Sequence, residues 1–132
     1  MKKRKQSILC ILVICVLIAS LCSCSGKEAS LLGTWEERSF TTSWGRTDTY
    51  EAGEGDKFTL GKDGKIIDAD HFFGSWFRYT GYYDVYSWDL QDSTIILNMQ
   101  YGNVAYIDFT LKGKTLTLLF DDGYSFTFYK IK

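Results

Sequence analysis

The chain reads as an all-β protein, an antiparallel sandwich or barrel, and three observations carry that reading. From Thr94 onward apolar and polar residues alternate almost without a break. Turn signals at Gly102-Asn103, Gly113 and Asp122-Gly123 cut the pattern into short segments, about 8–12 residues apart, as in meandering sheets. No window has the three-to-four-residue apolar spacing of an amphipathic helix.

The N-terminus has a different character. Lys2, Lys3, Arg4 and Lys5 precede an apolar run from Ile8 to Leu21, and no acid occurs before Glu28. A basic start and a short apolar centre define a secretory signal, because the positive end stays cytoplasmic while the apolar part enters the bilayer. The run falls short of the roughly 20 apolar residues that a stable span requires. Leu21-Cys22-Ser23-Cys24 resembles the bacterial lipobox, with Leu three places before the Cys and a small residue directly before it. Cys22 fits that role badly, since the bulky Leu21 would stand at the cleavage site. The resemblance implies removal of residues 1–23, acylation of Cys24 and export of a protein lipid-anchored to the cell envelope, with the outer membrane as its expected location. Two or three acyl chains hold a protein stably where one is marginal. Residues 24–30 are then the lipidated Cys and a polar tether, and residues 31–132 a single domain.

Composition narrows the function classes. The leader carries four of the 15 basic residues and none of the 16 acidic ones, so the mature part has 11 against 16 and a net charge of −5. That balance argues against a nucleic-acid partner. It also leaves membrane attachment to the acyl group rather than to charge. Three of the four cysteines leave with the leader and the fourth is Cys24, so the domain has neither disulfides nor thiolate metal sites. Its stability must come from packing, and every Trp, Tyr and Phe lies after residue 34.

Leu31 to Thr41 reads as the first strand. Gly33 permits a close backbone approach, and Trp35 has the bulk to plug one end of a barrel. Thr42 to Asp56 reads as a loop with a short strand at Asp48–Glu51. Glu51, Glu54 and Asp56 lack the spacing of a calcium loop and read as solvated acids. Lys57–Leu60 and Lys65–Asp70 form a hairpin about Asp63-Gly64, a type I′ signal. Asp68, Asp70 and His71, the only His, are the nearest approach to a metal set but lack a further ligand and read as a strand-end polar cluster.

From His71 to Trp88 nine of eighteen residues are aromatic, and we read two strands turning near Thr80-Gly81. Alternation sends Phe72, Trp76, Arg78 and Thr80 to one face and Phe73, Phe77 and Tyr79 to the other. Rings on both faces imply either cross-strand pairing on the outside or an exposed platform for an apolar ligand, a sugar or a protein. Ile95, Leu97 and Met99, then Ala105, Ile107, Phe109 and Leu111, then Leu116, Leu118 and Phe120, then Tyr124, Phe126 and Phe128 mark the inward faces of four further strands.

Gly33-x-Trp35 behind the lipobox, Phe58-Thr59-Leu60 running into Asp63-Gly64, Tyr86-Ser87-Trp88 and Leu116-Thr117-Leu118 together resemble the small lipocalin-like lipoproteins of gut-type Bacteroidetes. The resemblance implies an up-and-down antiparallel β-barrel of about eight strands, with Lys130 in the place of a late Arg beside Trp35. It also implies a first long loop over the open end. Trp44 is then either a lid or a loop ring packed on the rim.

No catalytic set is visible: a single His gives no Ser-His-Asp arrangement, and no Gly-rich loop leads into a helix to cradle phosphate or a cofactor. The expected function is non-enzymatic, without cofactor or metal. The expected role is binding of a small apolar or sugar-like ligand at the barrel mouth by Trp44, Trp76, Phe77, Tyr79 and Tyr83. The alternative is an envelope protein with a filled core that presents its rings to a protein partner. For the anchor, metabolic labelling with a palmitate analogue is expected to mark the wild type and not Cys24→Ser; equal labelling of both would contradict acylation at this position.

Overall fold

The computed structural model describes residues 26–78 and 80–132, so the leader, Cys24 and Tyr79 lie outside the described residues. The chain divides into one unit ending at Leu31 and a second from Leu32 to Lys132. Of the first, residues 26–31 are helical, with the Ser30 hydroxyl donating to the Gly26 carbonyl at 2.9 Å. Lys27, Glu28 and Ala29 are good helix formers, which is why this tether segment is not extended.

The second unit is an all-β antiparallel barrel. Its strands are β1 (Gly33–Thr41), β2 (Thr47–Thr49), β3 (Lys57–Leu60), β4 (Ile66–Ile67), β5 (Val85–Gln91), β6 (Thr94–Met99), β7 (Val104–Lys112), β8 (Thr115–Leu119) and β9 (Ser125–Lys130). They form one sheet in the order β4-β3-β1-β9-β8-β7-β6-β5, with β2 also on β1. The first and last strands pair, so the up-and-down meander closes on itself everywhere except between β4 and β5. At that junction the β3–β4 turn leans on β5: the Trp88 indole N–H donates to the Gly61 carbonyl at 2.9 Å. Asp63 and Gly64 in this turn both have positive φ, as a type I′ hairpin requires.

Alternation fills the interior as read. Ile95, Leu97, Met99, Ala105, Ile107, Phe109, Leu116, Leu118, Phe126 and Phe128 are all buried, and Ile95 faces Ile107 while Leu118 faces both Phe109 and Phe126. Trp35 is 0% exposed, pairs with Phe58 and Lys130, and has the Lys130 ammonium 5.1 Å from its ring centre. Gly33 is needed beside it, because a Cβ there would sit 2.3 Å from the Lys132 carbonyl oxygen.

The aromatic stretch departs from expectation. His71–Trp88 does not form two strands: Phe72–Trp76 is a short helix, α1, and β5 begins only at Val85. The cause is local. The Asp68 carboxylate accepts the Phe73 and Gly74 backbone N–H groups at 3.4 and 3.0 Å, satisfying donors that a helix start leaves open. His71 turns the chain through left-handed backbone, and Gly74 lies so close to Tyr83 that a Cβ would stand 2.3 Å from its carbonyl oxygen. The face assignment fails with the strands: Phe72 and Phe73 are adjacent and both buried. Ring centres of Phe58 and Phe128 lie 4.7 Å from Phe73 and 4.9 Å from Phe72 respectively. Helix α1 thus caps one barrel end with rings, while Trp35 fills toward the other.

Trp35→Ala is expected to cost about 3–5 kcal/mol, from lost burial plus the cavity left behind. Trp44, 71% exposed, should cost under about 0.5 kcal/mol when changed to Ala. Urea unfolding of the two variants checks the pair, and a Trp35→Ala protein as stable as wild type would contradict the packing described.

Candidate functional site

The site begins with an irregularity in β1. Its pairing with β9 runs from Glu37 opposite Phe128 to Ser39 opposite Thr127, so Arg38 is an extra residue, a β-bulge. Strict alternation would send Glu37 inward and Phe40 outward. The bulge resets the phase, and Phe40 faces Phe126 inside with ring centres 5.9 Å apart. On the other edge of β1, β2 and β3 act as one interrupted strand. The Tyr50 N–H donates to the Arg38 carbonyl at 2.8 Å, and the Glu37 N–H donates to the Asp56 carbonyl at 2.9 Å. Residues 51–55 are looped out between these two bonds. Gly55 permits the approach, since a Cβ there would be 2.0 Å from the Glu37 carbonyl oxygen.

This geometry leaves a recess of about 290 Å³ lined by Glu37, Phe40, Tyr50, Asp56, Phe72, Ser75, Trp76 and Phe126. Five of its eight residues are aromatic. Trp76 meets Phe126 with ring centres 4.9 Å apart, and Tyr50 stacks on Phe40 at 6.4 Å. Helix α1 supplies Phe72, Ser75 and Trp76, so the element that plugs the barrel also walls the recess.

Two consecutive glutamates are treated in opposite ways. Glu36 accepts the Gly53 N–H at 2.8 Å and pairs with Arg38 at 3.1 Å and Lys57 at 3.5 Å. The Gly53 bond first, then these cations, hold its carboxyl below the ordinary value against the effect of burial. Glu37 is 5% exposed and lines the recess, and among the described residues no Lys, Arg or His forms an ion pair with it. Burial, and then the nearby Asp56 carboxylate, push Glu37 up to about 7, with a hydrogen bond from the Asp56 backbone opposing them. Asp56 is also raised, by burial and then by Asp70 and Asp68. The Tyr50 hydroxyl is raised by burial and by the charges of Glu37, Asp48 and Asp56.

The five residues expected to bind ligand are only partly brought together. Trp76 is in the recess. Trp44 is not; it packs edge-on against Tyr124 at 5.8 Å, and Tyr124 in turn meets Trp76 at 5.2 Å. Phe77 and Tyr83 line a second recess of about 330 Å³, with Met99, Val104 and Tyr106. Tyr79 lies outside the described residues. Asp68, Asp70 and His71 are a structural cluster: Asp68 caps α1, Asp70 accepts the Lys57 N–H at 2.8 Å, and His71 stacks on Tyr82 at 3.6 Å. Among the described residues no group of three or more His, Cys, Asp or Glu could hold a metal ion. Glu37, Phe40 and Tyr50 were not legible as site residues from composition. The available signal was the broken phase Trp35-x-Glu37-x-x-Phe40, which puts an acid in step with a buried Trp.

No family model and no curated protein matches the chain. Two solved structures are similar to it. One is a lipocalin-like protein from Bacteroides uniformis, at 15% identity and a TM-score of 0.45, covering 77% of this chain and 99% of that one. The other is an uncharacterized protein from Bacteroides eggerthii, at 12% identity and a TM-score of 0.44, covering 76% of this chain and 98% of that one. The barrel described above is defined by its own strand order and registers.

Glu37 makes stability depend on pH. Its raised value means that the folded state binds a proton the unfolded chain has already released between about pH 4.5 and 7. The Glu37 contribution is therefore present below pH 4.5 and is lost as pH rises through 7. The raised Asp56 and Asp68 act in the same direction. Urea midpoints at pH 5.5 and 8 should show the wild type weaker at pH 8, and Glu37→Gln should reduce that difference. An unchanged difference in the variant would place the titration elsewhere.

Proposed function

We propose that this chain is an exported, lipid-anchored binding protein that holds one small ligand in the recess between β1, β9 and α1, without turning it over. The observation that supports this most is the recess itself. A barrel of this strand number can be just filled by its own side chains. Here the interior is filled around Trp35, Phe58, Phe73 and Phe128, yet about 290 Å³ is left at the α1 end. That volume is at the lower edge of ordinary small-molecule sites and matches a compact metabolite. Apolar walls with a few convergent polar groups are the usual make-up of such sites.

The alternative, a protein-interaction module of the envelope, draws on a different surface. Tyr86, Tyr101 and Tyr106 are 63%, 78% and 63% exposed, and such rings are favoured at protein interfaces. The two readings separate on Trp76, which walls the recess and is not among those exposed rings.

Titration of the full chain with N-phenyl-1-naphthylamine, a neutral apolar fluorophore, is expected to saturate at one probe per protein. Trp76→Ala should weaken it about tenfold, the equivalent of losing ~1.4 kcal/mol of wall contact. Trp44→Ala should leave it within about twofold, since its ring is one removed from the recess. Binding that fails to saturate, or that ignores Trp76, would favour the interaction module.

A further inference from the structure

We infer that the recess takes an organic monocation, a protonated amine on a small apolar body, with the ammonium between Glu37 and Asp56 and the body against Phe40, Trp76 and Phe126. This rests on the binding reading above and gives it a ligand class.

The first ground is the missing countercharge. An isolated carboxylate taken out of water carries a large penalty unless it is paired or gives up its charge. Glu36, one residue away, receives two cations and a backbone N–H, whereas among the described residues Glu37 receives a backbone N–H and no cation. Arg38 and Lys57, the cations nearest in sequence and register, are both committed to Glu36 on the outer side of β1. The chain thus has the means to neutralise an acid at this position and applies them to the neighbour. The lining residues include no Lys, Arg or His, so a cation that pairs with the ionised Glu37 in this recess comes from outside.

The second ground is the wall. Ring faces carry negative quadrupole charge and attract cations, with Trp the strongest. Phe40, Tyr50, Phe72, Trp76 and Phe126 line the recess together with the buried Glu37 and the exposed Asp56. Such a wall suits an ammonium with its apolar substituents better than a hydrated metal ion, which takes several oxygen ligands. A fatty-acid or phosphate headgroup would instead meet Glu37 and Asp56, with Asp68 and Asp70 behind them. A sugar needs several fixed donors, and beyond the acids the lining supplies only the Ser75 and Tyr50 hydroxyls.

The groups facing Glu37 set a pH window. From the loop before β3 comes Asp56, and from the end of the β2 segment Tyr50; α1 brings Phe72, Ser75 and Trp76, and β9 brings Phe126 and Phe128, none of which is charged near neutrality. Glu37 and Asp56 are therefore the groups whose ionisation controls a cation here. The raised value of Glu37 places the change near neutral pH.

The test compares two probes of nearly the same shape, 2-phenylethylamine and 2-phenylethanol, by isothermal titration calorimetry on the full chain. At pH 8 the amine is expected to bind about tenfold or more tightly than the alcohol. The preference should shrink at pH 5.5, where the amine keeps its charge and Glu37 loses its own. Glu37→Gln should cut the preference for the amine severalfold, leaving only the share that Asp56 supplies, and flatten the pH dependence between 5.5 and 8. The wild-type comparison and its pH arm stand without the variant, should Glu37→Gln fold poorly. Equal affinities at pH 8, or a preference undiminished in Glu37→Gln, would overturn the ligand class and leave the binding site intact. Failure of both probes and of the naphthylamine fluorophore to bind would overturn the site as well.

Discussion

The bulge at Arg38 is the constraint on which this barrel's one specialised feature depends. A first strand that kept its phase would turn Phe40 to solvent and leave Glu37 in a fully packed wall. The extra residue lets one strand serve two purposes. Its N-terminal half, with Trp35, belongs to the closed core. Its C-terminal half, with Glu37 and Phe40, belongs to the recess. The opposite edge has to follow, and it does so by looping out residues 51–55 between two backbone bonds to Glu37 and Arg38. The loop then folds over Glu36 and supplies the Gly53 N–H. One inserted residue therefore accounts for the interrupted second strand, the glutamate covered by the loop and the one buried in the recess wall.

Most of the sheet was legible because its strands are half-buried and antiparallel, the case in which alternation is cleanest. Thr94 to Phe128 shows this, and Asp63-Gly64 shows turn chemistry read correctly from two residues. The aromatic stretch was not legible for a related reason. Five residues of helix are too few to display a period, and rings score as strand formers wherever they occur. What makes Phe72–Trp76 helical is a carboxylate four residues upstream and a glycine pressed against a distant carbonyl, neither of which is a pattern along the chain. Phe72 and Phe73, which strand alternation assigned to opposite faces, are both inside the barrel, because a helix entering end-on can bury adjacent side chains where a strand cannot.

The site divides along the same line. Trp76 could be singled out from ring density alone. Glu37 could not, because Glu36-Glu37-Arg38 looks like an ordinary solvated strand segment. Its meaning lies in which neighbour takes the cations. Side-chain direction decides that: Glu36 points outward beneath the loop, toward Arg38 and Lys57, and Glu37 points inward past Phe128.

Placing an unpaired acid on an inward register position lowers stability at neutral pH, and a leucine there would continue the apolar row of Leu116 and Phe128. Barrel architecture does not require the acid, since the next inward row closes with Phe40, Phe126, Leu118 and Phe109. Neither does folding specificity, since the turn at Asp63-Gly64 and the β1–β9 ladder already set the register. A buried charge that is needed by neither packing nor register, beside a cavity walled with rings, is best explained by what enters the cavity. On this account the helix α1 and the bulge are two halves of one arrangement: the helix fills the barrel enough to hold it together, and the bulge keeps it from filling completely.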